Sequence, residues 1–152
     1  MGVYDAKKPS VFNGLNASIL VVFLLLAYFG TWYLPHWYKV WALKGSMQGV
    51  ATEAYREYDD EKLMKMLLKE ARRHELRVTE KNFIIKRVPY TPAEMNTVTS
   101  ANGNTYFMEK RGKFVKIGFA TIIRADWPLL EGKYVDLEFQ RQVEVDMKAV
   151  SW

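Results

Sequence analysis

A nucleophile–base pair in this chain would need Ser46 or Ser100 to find one of its two histidines, His36 or His74. Nothing in their spacing brings a serine to an imidazole. Neither histidine has companions at a spacing that builds a metal site. Asp59-Asp60-Glu61 has the charge to hold a divalent ion, yet a helix cap with acids at the positive dipole end explains the run fully. The chain has no cysteine, which removes disulfides, thiolate ligands and thiol nucleophiles. It also has no glycine-rich phosphate loop. No catalytic, cofactor-binding or metal-ligating residue is therefore assigned, and the chain is not expected to be an enzyme.

The remaining chemistry is that of contact. Lys65, Lys69, Arg72 and Arg73 fall on one side of a helix whose other side carries Leu63, Met64, Leu67, Leu68 and Ala71. That basic side is read first as a solvated face with its cations near the negative dipole end, and second as a contact for anionic lipid or an acidic partner. Tyr28, Trp32, Tyr33, Trp37, Tyr38 and Trp41 form an aromatic cluster of the kind that sits at a bilayer–water boundary. Gly30, Gly45 and Gly49 are candidate positions for close approach by another helix, although Gly45 and Gly49, which lie outside the lipid, are read first as points of local flexibility and only second as such a contact. Net charge is +5, but 17 acids are interspersed, so the basic bias is too diffuse for a nucleic-acid partner.

These residues have to be positioned by a small number of elements, and the first is a membrane span. Residues 16–41 read NASILVVFLLLAYFGTWYLPHWYKVW, with no formal charge between Lys8 and Lys39. About twenty such residues cross roughly 30 Å of hydrocarbon as a helix. The apolar run is longer than a signal-peptide core, and no small-x-small cleavage site precedes the aromatic cluster, so the span is expected to be retained. Lys7 and Lys8 face Lys39 and Lys44 across it, a narrow margin under the positive-inside rule. The lean is to a cytoplasmic N-terminus and a periplasmic C-terminal domain at a bacterial inner membrane.

Pro35 removes one backbone donor and is expected to kink the helix, which then continues to Tyr58. From Asn82 the period becomes two. Residues 83–88 predict a strand ended by Pro89; 105–110 and 113–124 predict two more, joined by a turn at Arg111-Gly112. Asn102-Gly103 is a further turn signal, with 96–101 either a strand or part of a loop. Asp126-Trp127-Pro128 and Gly132 turn the chain into the last strand, where Val135, Leu137, Phe139, Val143, Val145 and Met147 face one way. Its acids face the other, able to pair with Lys116 or Arg124 across strands. Arg141 interrupts the apolar set and is read as a bulge or as the apolar face running past the sheet edge.

The expected fold is α+β: an N-terminal single transmembrane helix continuing into a juxtamembrane helix, then an amphipathic helix packed on an antiparallel β-meander. The boundaries are 1–14 for the tail, 15–38 for the span, 39–58 for the juxtamembrane helix and 59–152 for a small extracytoplasmic domain.

The span ending Leu34-Pro35-His36-Trp37, the amphipathic DDEKLMKMLLKEARR helix and the RADWPLLEGKYVDLEF turn together resemble a bacterial family of single-span, pilin-like membrane proteins of unknown function. More loosely the chain is similar to type IV pilins and pseudopilins. With Pro35 aligned to the pilin helix proline, Ser18 stands where pilins carry a glutamate and Asn13 where their leader ends in glycine, and both departures speak against leader cleavage. The resemblance implies a membrane-anchored extracytoplasmic domain and no activity. The expected function is that of a non-catalytic accessory or structural subunit among other integral-membrane subunits in the lipid bilayer. A pilin-like filament or envelope-assembly subunit is the alternative, with self-association open.

Overall fold

A computed structural model describes residues 14–96 and 105–147, with the side chains of 105–107 outside that description. The chain divides into two compact units, Met1–Pro35 and His36–Trp152. The described elements are α1 (Gly14–Glu53), α2 (Asp60–Arg73), a 3-10 turn (Glu80–Asn82), β1 (Phe83–Val88), a short α3 (Thr105–Arg111), β2 (Phe114–Asp126) and β3 (Tyr134–Asp146), with residues 92–96 also helical. The class is α+β, with a long apolar N-terminal helix and a three-stranded antiparallel sheet of order β1-β2-β3.

In the first unit, every Leu, Ile, Val and Phe of α1 from Leu15 to Leu34 is 46–73% exposed. The helix is long and apolar enough to cross a membrane, and none of its most apolar window is buried. Ser18 and Thr31 turn their hydroxyls inward, donating to the carbonyls of Gly14 and Ala27 one turn back, so their polar groups are satisfied within the helix itself.

In the second unit, α1 changes character. Val40, Leu43, Met47, Val50 and Ala51 recur at helical spacing and are buried. They share one core with Leu63, Leu67 and Ala71 of α2 and with Phe83, Val115, Ile117, Phe119, Phe139 and Val143 of the sheet. The α2 stripe is spaced four residues apart, which puts its members on one face. Asp59 caps that helix, its carboxylate accepting from the amide of Glu61. At the other end Glu75 adopts φ +57, and the amides of Glu75 and Leu76 donate to the carbonyls of Arg72 and Ala71. This is the six-to-one, five-to-two pattern of a Schellman ending, here made without glycine.

The sheet follows period two as expected. Val115, Ile117, Phe119 and Thr121 of β2 are buried on the helix-covered face. The acids of β3 lie on the other face, where Lys116 pairs with Glu144 at 2.9 Å and Arg124 with Asp136 at 3.1 Å, each directly across the ladder.

Four expectations are corrected. Residues 105–110 belong to α3: Met108, Glu109, Lys110 and Arg111 are strong helix formers, and Gly112, at φ +78, ends the helix with its amide on the Met108 carbonyl. Gly112 therefore joins a helix to β2 and not one strand to another. Arg141 makes no bulge, because pairing with β2 runs unbroken from Asp146 to Tyr134, with Arg141 opposite Phe119. It lies on the apolar face of an edge strand, from which its guanidinium returns to the Gln140 carbonyl at 2.9 Å. The long helix ends at Glu53 and not at Tyr58, since Arg87 takes carbonyls beyond that point, as described below. Residues 92–96 are helical where a loop or the approach to a strand was expected; the turn at Asn102-Gly103 and residues 97–101 lie outside the described residues.

Candidate functional site

Aromatic side chains meet one another along α1. Within the second unit Trp37 stacks on Trp41 with centroids 6.3 Å apart, and Tyr38 lies 6.1 Å from the same indole. All three present much of their surface to solvent. Within the first unit Phe29 meets Tyr28 and Trp32 edge-on, and Tyr33 is exposed. Pro35 is exposed inside a helix that is assigned without a break on either side.

Among the described residues the glycines meet no partner helix. A Cβ on Gly30 would meet only Leu34 of its own helix, at 3.7 Å, and one on Gly45 or Gly49 would meet nothing within 4 Å. The basic residues of α2 are likewise exposed. Arg73 reaches Glu70 loosely at 3.8 Å, whereas Lys65, Lys69 and Arg72 have no ion pair among the described residues.

The structure does bring together a pair that spacing alone left apart. Ser46 Oγ and His74 Nε2 are hydrogen-bonded at 3.0 Å, linking α1 to the C-cap of α2. A serine on an imidazole is half of a nucleophile–base relay, but acyl transfer also needs amide donors aimed at a developing oxyanion. Ser46 lies deep inside α1, where neighbouring amides are consumed by the helix's own ladder. The pair therefore acts as a tie between helices. Two turns nearer the start of α1, Lys39 Nζ donates to Glu75 Oε2 at 2.8 Å, and this bond holds the Glu75 carboxyl below its ordinary pKa.

A second tie sits at the other end of the unit and was not anticipated. Arg87, with a side chain only 13% exposed, donates from Nε to Asp60 Oδ1 at 2.8 Å. Its Nη atoms reach the carbonyls of Ala54, Glu57 and Arg111 at 3.0–3.3 Å. One guanidinium thus collects chain-end carbonyls just beyond α1 and at the end of α3, together with the first residue of α2. The available signal was parity: Arg87 follows Phe83 and Ile85 on the inward face of β1. Beside it, the Arg111 guanidinium lies 3.6 Å from the Tyr55 ring centroid and donates to Tyr58 Oη at 3.2 Å, while its Nε is buried without a hydrogen-bond partner among the described residues. Lys113 pairs closely with Glu94, whose carboxyl is held down at about 2, first by that hydrogen bond and then by Thr91.

Among the described residues there is no group of three His, Asp or Glu arranged to hold a metal. The second unit carries several surface clefts. One of ≈ 390 Å³ is lined by His36, Lys39, Glu75, Arg77, Thr121 and Arg124, a basic rim at the end where the chain enters the second unit. No known protein family, no curated protein and no solved structure matches the chain.

Proposed function

We propose that this chain is a membrane-anchored, non-catalytic accessory or structural subunit. Its apolar segment packs in the bilayer against a larger integral-membrane assembly, and its sheet-bearing unit docks at the outer face of that assembly. The observation that carries the reading is the first half of α1: an uncharged helix with none of its most apolar window buried. In water such a surface is costly, at about 25 cal/mol per Å² of apolar area. Lipid or other membrane helices remove that cost. The open surfaces at Gly45 and Gly49 and the exposed cations Lys65, Lys69 and Arg72 offer places for other subunits to approach just beyond the bilayer. The membrane is a bacterial inner membrane, with the N-terminus inside and the sheet-bearing unit in the periplasm, as flanking charge and the pilin-like resemblance suggest.

A pilin-like filament or envelope-assembly subunit is the second reading. It is favoured by one feature, the burial of the later part of α1 in a core shared with an antiparallel sheet. Affinity purification of tagged protein from native membranes in mild detergent, with mass spectrometry of its N-terminus and companions, separates the two. An intact N-terminus with stoichiometric, unrelated membrane subunits supports the accessory role. A trimmed N-terminus with self-assemblies alone overturns it in favour of the filament. Recovery in the soluble fraction after alkaline carbonate washing would overturn both.

A further inference from the structure

The hairpin between β2 and β3 ends in an apolar tip that the core does not use. Leu129 is 78% exposed and Leu130 56%, more than most side chains of the apolar segment itself, and Trp127 and Pro128 precede them. The tip is well defined: the Trp127 amide donates to Lys133, those of Leu130 and Lys133 donate to Trp127 and Leu130, and Gly132 turns the chain at φ +73. Two exposed leucines at the end of an ordered turn are poor neighbours for water.

Where the tip lies within its unit follows from contacts already described. At one end of the unit, Arg87, which pairs with Val115 at the start of β2, bonds the Ala54 carbonyl beyond the end of α1. At the other end, His36 and Lys39 of α1 share a cleft with the later β2 residues Thr121 to Arg124. Strand β2 therefore runs opposite to α1, and its continuation beyond Arg124 carries the tip to the end at which the chain enters from Pro35. The exposed rings of Trp37, Tyr38 and Trp41 belong to that same end. The tip is therefore at the end of its unit that is joined in sequence to the apolar segment.

We infer that Trp127, Leu129 and Leu130 form a second membrane contact, a hairpin tip seated in the interfacial layer beside the aromatic residues of α1. This rests on the membrane-anchored reading above. The ionic side chains flanking the tip, Arg124, Asp126, Glu131 and Lys133, are two of each sign, so the contact is apolar and needs no anionic lipid. Trp and Leu at the headgroup boundary are suited to that role. Two contacts at one end, one helical and one from the hairpin, restrain the tilt of the sheet against the bilayer, which a single linker does not.

The absence of cysteine makes the test direct. Leu129→Cys, Glu61→Cys and Leu24→Cys are each introduced into the full chain, labelled with an environment-sensitive fluorophore and reconstituted in phosphatidylcholine vesicles. Quenching by aqueous iodide is compared with quenching by lipids carrying shallow or deep nitroxides. The expected result is loss of iodide quenching and gain of shallow-nitroxide quenching at position 129, deep quenching at 24, and full iodide access at 61, which is exposed at the Arg87 end of the unit. Leu130→Cys repeats the measurement at the neighbouring side chain and is expected to agree. Iodide access at 129 and 130 equal to that at 61 overturns the inference, as does shielding from both quenchers or shielding that appears only with phosphatidylglycerol. Deep quenching at 24 in those cases leaves the anchoring reading standing, whereas iodide access at 24 overturns the anchoring reading itself.

Discussion

From Leu15 to Leu34 the Leu, Ile, Val and Phe side chains of α1 are all exposed, whereas from Val40 to Ala51 the same helix hides Val40, Leu43, Met47, Val50 and Ala51 almost completely. The first part is the more hydrophobic of the two, so hydrophobicity alone does not decide what a protein buries inside itself. Pattern decides. In the later part apolar residues recur every three or four positions between Lys39, Trp41, Lys44 and Gln48, giving one stripe that a sheet and a second helix can cover. The earlier part is apolar all round, and no single layer of this small unit could cover it. A helix of that kind calls for a surrounding apolar medium.

The comparison can be broken by truncating one residue in each part. Leu43→Ala is expected to destabilise the sheet-bearing unit by about 2–5 kcal/mol, as deletions in packed cores do. Leu24→Ala is expected to shift the same transition by less than about 0.5 kcal/mol. Urea unfolding in detergent, followed by near-ultraviolet circular dichroism, reads both, and equal losses would sink the distinction.

The buried part of α1 is also closed at its end by polar ties. Replacing Arg87 with Met removes the charge but keeps much of the stem, and it leaves Asp60 and the carbonyls of Ala54, Glu57 and Arg111 without their shared donor. A loss of about 2–3 kcal/mol is expected in the same unfolding measurement. No change would mean that water replaces the guanidinium without cost.

Gly45 and Gly49 sharpen the contrast in the opposite direction. Both lie on the open side of α1, so alanine at each should stabilise the purified chain by about 0.5–1 kcal/mol through helix propensity. Should the same substitutions abolish recovery of companion subunits from native membranes, close approach at these glycines would be established. Stabilisation with companions intact would leave them as points of flexibility.

The smallest effect is expected from pH, and it too belongs to the folded unit. Glu94 titrates at about 2 in the folded chain against an ordinary 4.5, so its contribution is fully present above 4.5 and is lost as the pH falls toward 2. Its partner Lys113 is raised above 10.5, so that contribution is present below 10.5 and disappears as the pH climbs through the raised value. In thermal melts Glu94→Gln should flatten the acid limb by modestly lowering the neutral-pH transition, the two proteins converging as the pH falls toward 2. An unaltered acid limb would assign that slope to other carboxylates. Both groups are solvent-accessible, which keeps the effect modest.

Local pattern made much of this architecture legible. The uncharged run before Lys39, the α2 stripe with its Asp59 cap, β1 up to Pro89, the alternation of β2 and β3, and the Lys116–Glu144 and Arg124–Asp136 pairs all follow from neighbours in sequence or from register. The mistaken strand at 105–110 shows the limit. Seven residues carry too few repeats to separate periods of 2 and 3.6, and helix propensity with a left-handed Gly112 decided the matter.

What the sequence alone determined, then, is where the apolar surface lies and with what period, because side-chain direction in helices and strands is set by backbone geometry. Tertiary structure decided which distant groups meet. Ser46 and His74 are separated by 28 positions and Arg87 and Ala54 by 33, and neither pair carries a local signal of its partner. Their meeting depends on α1, α2 and the sheet packing around one core. The same arrangement puts the exposed Leu129–Leu130 tip at the end where the chain enters from its apolar segment.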